Sequence, residues 1–428
     1  MCADVTTGLQ ATERPLRILL VAYFYPPLNS VGARRPAALA RCLTERGHEV
    51  TVLTSVASGS PEAVERWPVI RSRDFLATRL NWRRGRSTAE VATGRADELL
   101  DTRAKRWGSI VPPDVQALSW VPFATADALR IAHRHRPDVV VTTSPVDSVH
   151  AIGVALQGRG IPWIADLRDG WRFEAPRPEW PLAVQRRLDD TLERRALRRA
   201  DEVVTVTQPV ADDLSGRYGI KAQVITNGFD PLDAPQADAI AAAPLRSDRL
   251  SFVHTGGLGA ERTIAPLLEA IVRLGAQDRI EVVLAGPLTA DERDLYGRPE
   301  YAEIVRHLGF LDRPEALALQ RAADWLLCVT RSREAPGKLF EYLAAGRPVL
   351  VLGDGSAAAD IVLGEQAGIV VPIGDAVAAS AALCRIIAGQ IPDPPTSAAE
   401  SHLWPSLAER YESVIEETIG RHAGRTDG

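Results

Sequence analysis

Continuous apolar runs alternate with helical segments along most of the chain. Such runs are typical of strands in a parallel sheet that helices cover on both faces. In the N-terminal half they predict six strands, at Arg17 to Tyr23, Val50 to Leu53, Asp138 to Thr142, Pro162 to Ala165, Glu202 to Val206 and Gln223 to Ile225. Strands that alternate with helices in this way predict one doubly wound α/β domain over residues 15–230.

Residues 231–249 interrupt this alternation. Proline, alanine and aspartate dominate there without apolar periodicity, which predicts an interdomain linker. A second α/β domain is predicted over 250–400, with strands at Leu250 to His254, Ile280 to Ala285, 308–311, Trp325 to Val329 and Pro348 to Leu352. A last amphipathic helix is predicted within 401–420. Residues 58–112 are rich in Arg, Trp and Pro, and predict a helical excursion or a partly mobile segment.

Composition agrees with a two-domain globular protein. At 428 residues the chain is too long for one compact core, and its net charge of −5 gives no global attraction for nucleic acid. The cysteines form no CxxC pair, which favours buried thiols in a reducing cytoplasm; they are Cys2, Cys42, Cys328 and Cys384. Neither a signal peptide nor a membrane-spanning run is recognisable. We therefore expect a cytoplasmic protein, with any membrane contact peripheral and at the inner face.

Two charged side chains, Lys338 and Glu341, stand on a short predicted helix that is otherwise apolar. The helix connects two buried strands of a parallel sheet, whose ligands lie beyond the carboxyl ends of the strands. Lysine occurs elsewhere only at Lys105 and Lys221, so its use here indicates a compact ammonium that meets a phosphate. Glu341 offers the acceptor oxygens that two ribose hydroxyls need. The alternative is an i,i+3 ion pair on the helix surface.

A glycine-rich turn, Gly256-Gly257-Leu258-Gly259, directly follows a predicted strand and precedes a helix that starts near Ile264. Glycines at such a turn let backbone N–H groups approach a diphosphate, and the helix N-terminus favours its negative charge. Arg262 is close enough in sequence to contact the same phosphates as a bidentate donor. The alternative for this motif alone is an ordinary tight turn.

The first βα loop of the N-terminal domain is a further candidate. It lacks the G-x-G-x-x-G pattern, which disfavours a nicotinamide or flavin enzyme. Gly32 permits close backbone approach, and Arg34 and Arg35 stand at the entrance of the following helix. Because a helix entrance favours anions, this pair indicates a phosphate or an acidic partner. The alternative is a solvated pair at the domain edge.

The segment after the fourth predicted strand carries three charged candidates, Asp166, Arg168 and Asp169. Carboxylates that flank an arginine at a strand end are suited to act as proton acceptor, hydroxyl anchor and phosphate contact. A structural Asp–Arg network is the alternative. His150 opens a predicted helix nearby, and is expected either to titrate near neutral pH or to be a surface residue. No D-x-D triplet occurs, so neither a metal ion nor a cofactor besides the substrate is predicted.

Together these motifs resemble glycosyltransferase family 4, whose members have the GT-B fold of two doubly wound domains facing across a cleft. The similarity is carried by F-Y-P-P-x-x-x-x-G with G-H-E-V-x-V-L-T, D-L-R-D-G-W, N-G-F-D, H-T-G-G-L with Arg262, and P-G-K-L-F-E-Y-L-A-A-G-R-P-V-L. It covers most of residues 15–420 and is weakest at 58–112. Family members transfer a sugar from a nucleotide diphosphate donor to an acceptor, with retention of anomeric configuration and without a bound metal.

The resemblance assigns roles to individual residues. It implies that the diphosphate is held by Gly256, Gly257, Arg262 and Lys338. Glu341 is implied to hold the ribose. We also predict Gly32 and Leu339 as donor-binding residues. Arg168 and Asp169 are implied to lie near the transferred sugar or the acceptor. The resemblance also implies that 231–249 hinges and that the helix 401–420 packs back on the first domain.

Two departures from the family pattern bear on catalysis. Arg333 replaces the earlier of the two glutamates that the family often carries, and Glu334 stands one residue out of register. Many relatives also have a histidine at the end of the third predicted strand, where Thr143 or Ser144 stands here. The polar catalytic helper therefore stays open, with Asp166 and His150 as candidates.

Two other functions fit the same architecture. A nucleotide-sugar epimerase would share the donor pocket, and a non-catalytic nucleotide-sugar-binding subunit of a glycan assembly complex would explain the altered glutamate position. The acceptor is expected to bear a hydroxyl, as in a polysaccharide, glycolipid or natural-product intermediate, but a fold does not specify it. The basic helix at 185–199 would suit a lipid-linked acceptor on an anionic membrane. Its interspersed Asp189, Asp190 and Glu193 favour a merely solvated helix.

Overall fold

The computed structural model describes residues 14–28, 30–59, 66–76, 111–173, 179–235, 243–258, 262–330, 333 and 335–426. The chain divides into two compact units. Unit 1 comprises the described residues up to Thr205, Leu214–Gln223, and those from Tyr411 onwards. Unit 2 comprises Val206–Asp213 and Val224–Arg410.

The first sheet has the strand order β3-β2-β1-β4-β5-β6-β7. The pairs from β3 through β6 are parallel. Successive strands add on opposite sides of β1, which creates a switch point between β1 and β4. The strands are Arg17–Ala22 (β1), Glu49–Ser55 (β2), Val69–Ser72 (β3), Val139–Thr143 (β4), Trp163–Leu167 (β5), Glu202–Thr205 (β6) and Gln223–Val224 (β7).

Helices separate most of these strands along the chain. They are Val31–Glu45 (α1), Gln116–Ser119 (α2), Val121–His135 (α3), His150–Gln157 (α4), Ala183–Arg199 (α5) and Gln208–Tyr218 (α6). Short 3-10 turns occur at Val56–Ser58, Asp147–Val149 and Pro231–Asp233. Every residue of β4 and β5 is buried, as the continuous apolar runs predict.

The second sheet repeats this topology, with the order β10-β9-β8-β11-β12-β13 and parallel pairing throughout. Its strands are Leu250–Thr255 (β8), Ile280–Ala285 (β9), Val305–Gly309 (β10), Trp325–Val329 (β11), Val349–Leu352 (β12) and Gly368–Val371 (β13). The following helices are Ala265–Arg273 (α7), Ala290–Tyr296 (α8), Arg313–Ala322 (α9), Lys338–Ala345 (α10), Ala357–Gly364 (α11), Ala376–Ile387 (α12), Thr396–Glu400 (α13) and Trp404–Thr426 (α14).

The second sheet is covered on both faces. Phe252 belongs to one core cluster and its neighbour Val253 to another. Successive side chains of a strand point to opposite faces, so the two clusters are the two helical layers. The helix α10 contributes Leu339 and Phe340 to the second cluster. The expected doubly wound α/β architecture is therefore confirmed in both halves of the chain.

Three details differ from the sequence prediction. Of residues 58–112, expected to be a helical or mobile excursion, 60–65 and 77–110 lie outside the described residues. The described part contains the edge strand Val69–Ser72. Its four residues include only two apolar ones in a stretch of Arg, Trp and Pro, so the periodicity was too weak to show it. The last strand, Gly368–Val371, was likewise not predicted. Strand β5 continues to Leu167, so Asp166 lies within the strand.

The acidic residues of the basic helix α5 do not lie on its solvent side. Asp189 and Glu193 are 1% and 0% exposed. The indole Nε1 atoms of Trp171 and Trp180 donate to Asp189 at 3.0 and 2.9 Å. The expectation of a solvated helix with interspersed acids is therefore wrong for these two residues, because aromatic donors in the interior capture the carboxylate of Asp189.

The end of the chain is anchored to unit 1 through Glu412 on helix α14. Its Oε1 lies 2.6 Å from Nε2 of His48, and Arg46 donates to its Oε2. Both basic residues follow helix α1, so Glu412 connects the last helix to the start of β2. In the described part of the chain, no helix is both long and apolar enough to cross a bilayer.

We predict that Glu412→Gln destabilises unit 1. The substitution removes the charge that two basic side chains share, and hydrogen bonds to charged groups contribute roughly 1.5–3 kcal/mol each. The midpoint of thermal unfolding should fall, and amide hydrogen exchange in α14 should accelerate. Glu416→Gln, on an exposed position of the same helix, is the control and should change stability by less than about 0.5 kcal/mol. Equal behaviour of the two variants would contradict the anchoring role.

Candidate functional site

The carboxyl end of strand β8 leads into a tight glycine turn in unit 2. Gly256 has φ 106°, in the left-handed region that favours glycine. Its N–H donates to the carbonyl of Ala285 at 2.7 Å. A Cβ built on Gly286 would lie 2.4 Å from the carbonyl oxygen of Gly256. Two backbone segments therefore touch here, and Gly286 has no room for a side chain.

The ammonium of Lys338 lies directly against this turn. Lys338 is the first residue of α10, and its Nζ is 3.1 Å from Nε2 of His254. A Cβ added to Gly256 would come within 2.8 Å of Nζ. Glycine at this position therefore makes space for the lysine, and the two predicted residues lie side by side.

The histidine that contacts Lys338 is buried and neutral. Nδ1 of His254 lies 2.8 Å from the carbonyl of Leu327, which can only accept, so Nδ1 carries the proton. Nε2 then accepts a hydrogen bond from Lys338. Burial lowers the pKa of His254 well below its usual value, and the charges of Lys338 and Arg262 lower it further against the opposing effect of backbone hydrogen bonds. The imidazole therefore orients the ammonium without adding charge.

Arg262 and Gly257 complete this glycine-turn cluster. Arg262 is partly buried, and its charge acts on His254 from the same end of the sheet. A Cβ on Gly257 would meet Pro287 at 3.5 Å, an ordinary contact, so this glycine is not required by packing. The predicted Gly259 lies outside the described residues. Two cations and a bare backbone turn thus converge, which is an arrangement suited to a multiply charged anion.

Glu341 lies one helical turn beyond Lys338, and two side chains share its carboxylate. Arg313 Nη1 donates to Oε1 at 2.5 Å, and Gln320 Nε2 approaches Oε2 at 3.4 Å. Arg313 also donates to Asp233 at 2.7 Å. Gln320 Nε2 also donates a hydrogen bond to Oγ1 of Thr255 at 2.9 Å. The carboxylate is therefore held by contacts from α9 and linked to the end of β8.

The apolar side of α10 fixes the helix against the sheet. The hydroxyl oxygen of Tyr342 accepts a hydrogen bond from the backbone N–H of Thr255 at 2.9 Å, which joins the helix to the residue before the glycine turn. Leu339 is 0% exposed and lies in the core. Its N–H donates to the carbonyl of Pro336 at 2.9 Å. Leu339, predicted as a donor-binding residue, therefore acts on the site through packing.

In unit 1, Asp166 and Arg35 form a buried bidentate pair. Arg35 Nη2 and Nε donate to the two carboxylate oxygens at 2.7 and 2.9 Å, and the side chains are 1% and 0% exposed. Thr143 Oγ1 also donates to Asp166, at 2.6 Å. Arg35 thus meets an acidic partner within the chain, and the alternative of a solvated pair is wrong for it. The carboxylate of Asp166 is held by three donors.

Arg168 connects the end of β5 to the first βα loop. Its Nη1 donates to the carbonyl of Gly32 at 2.8 Å, and its N–H donates to Oγ of Ser144 at 3.1 Å. A Cβ on Gly32 would lie 3.0 Å from the ring of Phe24, so the backbone at Gly32 packs closely against this ring. Asp169 is exposed beside Arg168. The structure therefore gathers Gly32, Asp166, Arg168 and Asp169 at the carboxyl edge of the first sheet.

His150 contradicts both sequence expectations. It is 0% exposed, and burial lowers its pKa to about 4, opposed by the charge of Asp166. Its Nδ1 lies 2.8 Å from Oγ1 of Thr142, and its ring stacks on Trp171 with centroids 5.8 Å apart. The first residue of α4 faces the sheet, so His150 is neither a surface residue nor a group that titrates near neutral pH.

Two family models match consecutive parts of the chain and together cover most of it. "Glycosyltransferase Family 4" matches residues 32–231, and "Glycosyl transferases group 1" matches residues 249–389. The chain belongs to glycosyltransferase family 4. The matched ranges contain every predicted site residue of both units.

This family 4 protein is also similar to a curated relative and to two solved structures. It is 28% identical over 252 residues to 2-deoxystreptamine glucosyltransferase of Streptomyces kanamyceticus, a match that spans 55% of this chain and 65% of the relative's length. The catalytic domain of starch synthase IV from Arabidopsis thaliana, bound to ADP and acarbose, is 14% identical with a TM-score of 0.61, covering 95% of this chain and 100% of that chain. HepE of Anabaena in complex with UDP is 16% identical with a TM-score of 0.53, covering 96% and 100%. These structures support the GT-B fold.

Three side chains that contact Lys338 or Glu341 were not assigned from the sequence. His254 stands in the quoted H-T-G-G-L motif, where its place before the glycine turn was a usable signal. Arg313 and Gln320 carry no local signal, because they reach Glu341 from a neighbouring helix.

Arg333, which replaces a family glutamate, has φ 67° in the left-handed region, and Glu334 lies outside the described residues. Among the described residues, no cluster of potential ligands suited to a metal ion is found.

We predict that Lys338→Met raises the pKa of His254. The substitution removes the positive charge that lowers this pKa, while the burial that dominates the shift persists. Lys338→Arg, which keeps the charge, is the matched control. NMR titration of histidine-labelled protein should show a His254 signal that responds at higher pH in Lys338→Met than in the parent. An unchanged titration would contradict the contact between the two side chains.

Proposed function

We propose that the protein is a retaining glycosyltransferase that moves a sugar from a nucleoside-diphosphate sugar to a hydroxyl-bearing acceptor. Membership of family 4 supports the reaction class. The observation that carries the donor proposal is the Lys338 ammonium held against the Gly256 turn by neutral His254. That arrangement places a fixed positive charge beside a turn whose backbone an anionic ligand can approach closely.

The diphosphate of the donor is proposed to bind at the glycine-turn cluster. Lys338 and Arg262 would meet its charges, and the turn at Gly256 and Gly257 would approach it through backbone. Starch synthase IV and HepE, which share the fold, are described as complexes with ADP and with UDP. We extend this ligand class, a nucleoside diphosphate, to the present chain without assigning the base.

Glu341 is proposed to bind the ribose hydroxyls of the donor. In the structure its Oε1 is paired with Arg313, so a ribose would bind at Oε2 or share Oε1 with the guanidinium. Asp233 also binds Arg313, which keeps the arginine anchored when the carboxylate accepts a ligand. Arg313 is accordingly proposed as a positioning residue.

At the reacting centre the chain's own cations are proposed to stabilise the leaving diphosphate. Charge develops on the diphosphate as the glycosidic bond to the sugar breaks, and preorganised cations act most strongly where charge develops. Lys338 is held by His254 before the reaction, so little reorganisation of this cation is needed. This supports a mechanism that proceeds without a metal ion.

The acceptor side is proposed to involve Arg168 and Asp169 in unit 1. Asp166 is bound by Arg35 and Thr143, so we propose that it positions the strand end. 2-Deoxystreptamine, after which the curated relative is named, is the first acceptor to test. We also propose a cytoplasmic location.

Product analysis tests the proposed function. The purified chain is incubated with UDP-, GDP- or ADP-sugars, with and without acceptor. Sugar transfer that needs the acceptor and disappears in Glu341→Ala would support the proposal. A changed sugar in the absence of acceptor would indicate an epimerase. Nucleotide-sugar binding without any product across the acceptors would indicate a non-catalytic subunit.

We predict that Lys338→Ala weakens binding of the preferred nucleoside diphosphate by about 10- to 150-fold. Loss of a charge-assisted contact costs roughly 1.5–3 kcal/mol. Lys221→Ala is the matched control, since Lys221 is an exposed lysine, and should leave the affinity unchanged. Titration calorimetry measures both variants against the parent. Equal affinities of parent and Lys338→Ala would refute the diphosphate assignment.

We also predict that turnover persists in EDTA. Lys338 and Arg262 supply the positive charge that a metal would otherwise provide, so chelation should change the rate by less than about twofold. Initial rates are compared with and without EDTA, and after added Mg²⁺ or Mn²⁺. Activity that vanishes in EDTA and returns with metal would contradict the proposed mechanism.

A further inference from the structure

One surface of unit 1 is built almost entirely from arginine and exposed apolar side chains. It lies on helix α5, and we call it the basic face. Its members are all exposed and follow one side of the helix or directly precede it: Leu182, Val184, Arg187, Leu188, Arg194, Arg195, Arg198 and Arg199. Spacings of three and four residues place such side chains on a common side of an α-helix. The basic face contains no acidic residue.

The acids of helix α5 are turned away from this face. Asp189 accepts from two indoles in the interior. Glu193 accepts from Arg217 at 2.7 and 3.0 Å and from the hydroxyl of Tyr218 at 2.8 Å. Asp190 is paired with Arg172. Each carboxylate of the helix thus has a partner outside the basic face, and none neutralises its arginines.

The arginines of the basic face are weakly engaged or not engaged. In the part of the chain that the structure describes, Arg187, Arg194 and Arg195 form no side-chain hydrogen bond or ion pair. Arg198 approaches the carbonyl of Tyr218 at 3.4 Å, and Arg199 approaches Oε1 of Gln157 at 3.2 Å. Five positive charges are therefore concentrated on one helix face, although the whole chain carries a net charge of −5.

Apolar side chains adjoin these charges at the start of the helix. Leu182, Val184 and Leu188 are 58%, 68% and 47% exposed. Leaving three aliphatic side chains of this size in water is unfavourable, and their clustering marks a contact surface. The basic face therefore offers both positive charge and aliphatic groups.

We propose that the basic face docks the protein on an anionic membrane surface. Guanidinium groups bind lipid phosphates in bidentate geometry, and a row of them is attracted by the negative surface potential. The aliphatic side chains would enter the headgroup boundary, as in helices that lie on a bilayer. Charge alone would also suit a polyanion, but three exposed aliphatic groups beside it favour lipid. The proposal does not depend on the donor site.

Vesicle co-sedimentation tests this proposal with the full chain and no substrate. One set of vesicles is phosphatidylcholine alone, and the other is phosphatidylcholine mixed with phosphatidylglycerol. We expect binding only to the anionic set, weakened by added salt. Equal binding to both sets, or binding to neither, would overturn the proposal. Tighter binding to duplex DNA than to the anionic vesicles would also overturn it, in favour of a polyanion site.

Substitutions locate the binding on the basic face. Arg187→Gln/Arg194→Gln/Arg195→Gln should weaken vesicle binding by roughly 100-fold, since each basic side chain near an anionic surface contributes about fivefold. Arg273→Gln/Arg298→Gln/Arg385→Gln removes the same charge from exposed positions of unit 2 and should bind like the parent. Equal loss in both triple variants would overturn the location.

The aliphatic contribution is tested separately. Val184→Gln/Leu188→Gln keeps all arginines, so it should retain the salt-sensitive attraction but lose the binding that persists at high salt. Both positions are exposed, so the thermal unfolding midpoint of this double variant should match that of the parent. Unchanged binding at high salt in this variant would overturn the proposed insertion. This variant also serves if the triple arginine variant fails to fold.

Discussion

The proposed donor site depends on one contact, between the ammonium of Lys338 and the neutral imidazole of His254. A lysine side chain is long and flexible, so a fixed position costs conformational entropy that some partner must offset. A carboxylate partner would cancel the charge that an anionic ligand requires. The buried imidazole orients the ammonium and leaves its charge intact, because burial and the nearby cations keep the ring in its neutral form. The glycine turn then supplies the space into which the ammonium projects.

The rest of unit 2 holds this contact in place. Parallel pairing brings the ends of β8 and β11 to one edge, and α10 starts at that edge. Tyr342 joins the helix to Thr255, and the chain of Gln320, Glu341 and Arg313 extends the same hydrogen-bonded frame to Asp233. In unit 1 the buried pair of Arg35 and Asp166 has a comparable role, since it fixes the strand end from which Arg168 reaches the first loop.

Short sequence motifs predicted part of this arrangement. The scarcity of lysine and the spacing of glycines identified Lys338 and Gly256, because both signals lie within short motifs. The strands with continuous apolar runs were also predictable, whereas Val69–Ser72 and Gly368–Val371 were not, since short edge strands carry little periodicity. The partners of Glu341, Asp166 and Asp189 could not be found, because they lie outside the short motifs that identify these carboxylates and meet them only in the folded chain. His150 was misjudged for the same reason: the sequence does not show which side of a helix entrance meets the sheet.

The most direct measurement is a crystal structure of the chain with the nucleoside diphosphate that stabilises it most. We predict that the diphosphate oxygens lie within hydrogen-bonding distance of Lys338 Nζ and the Gly256 turn, with the ribose hydroxyls on Glu341. His254 should keep its contact with the lysine. A diphosphate bound elsewhere, or a Lys338 ammonium that turns away from the ligand, would contradict the proposed diphosphate site.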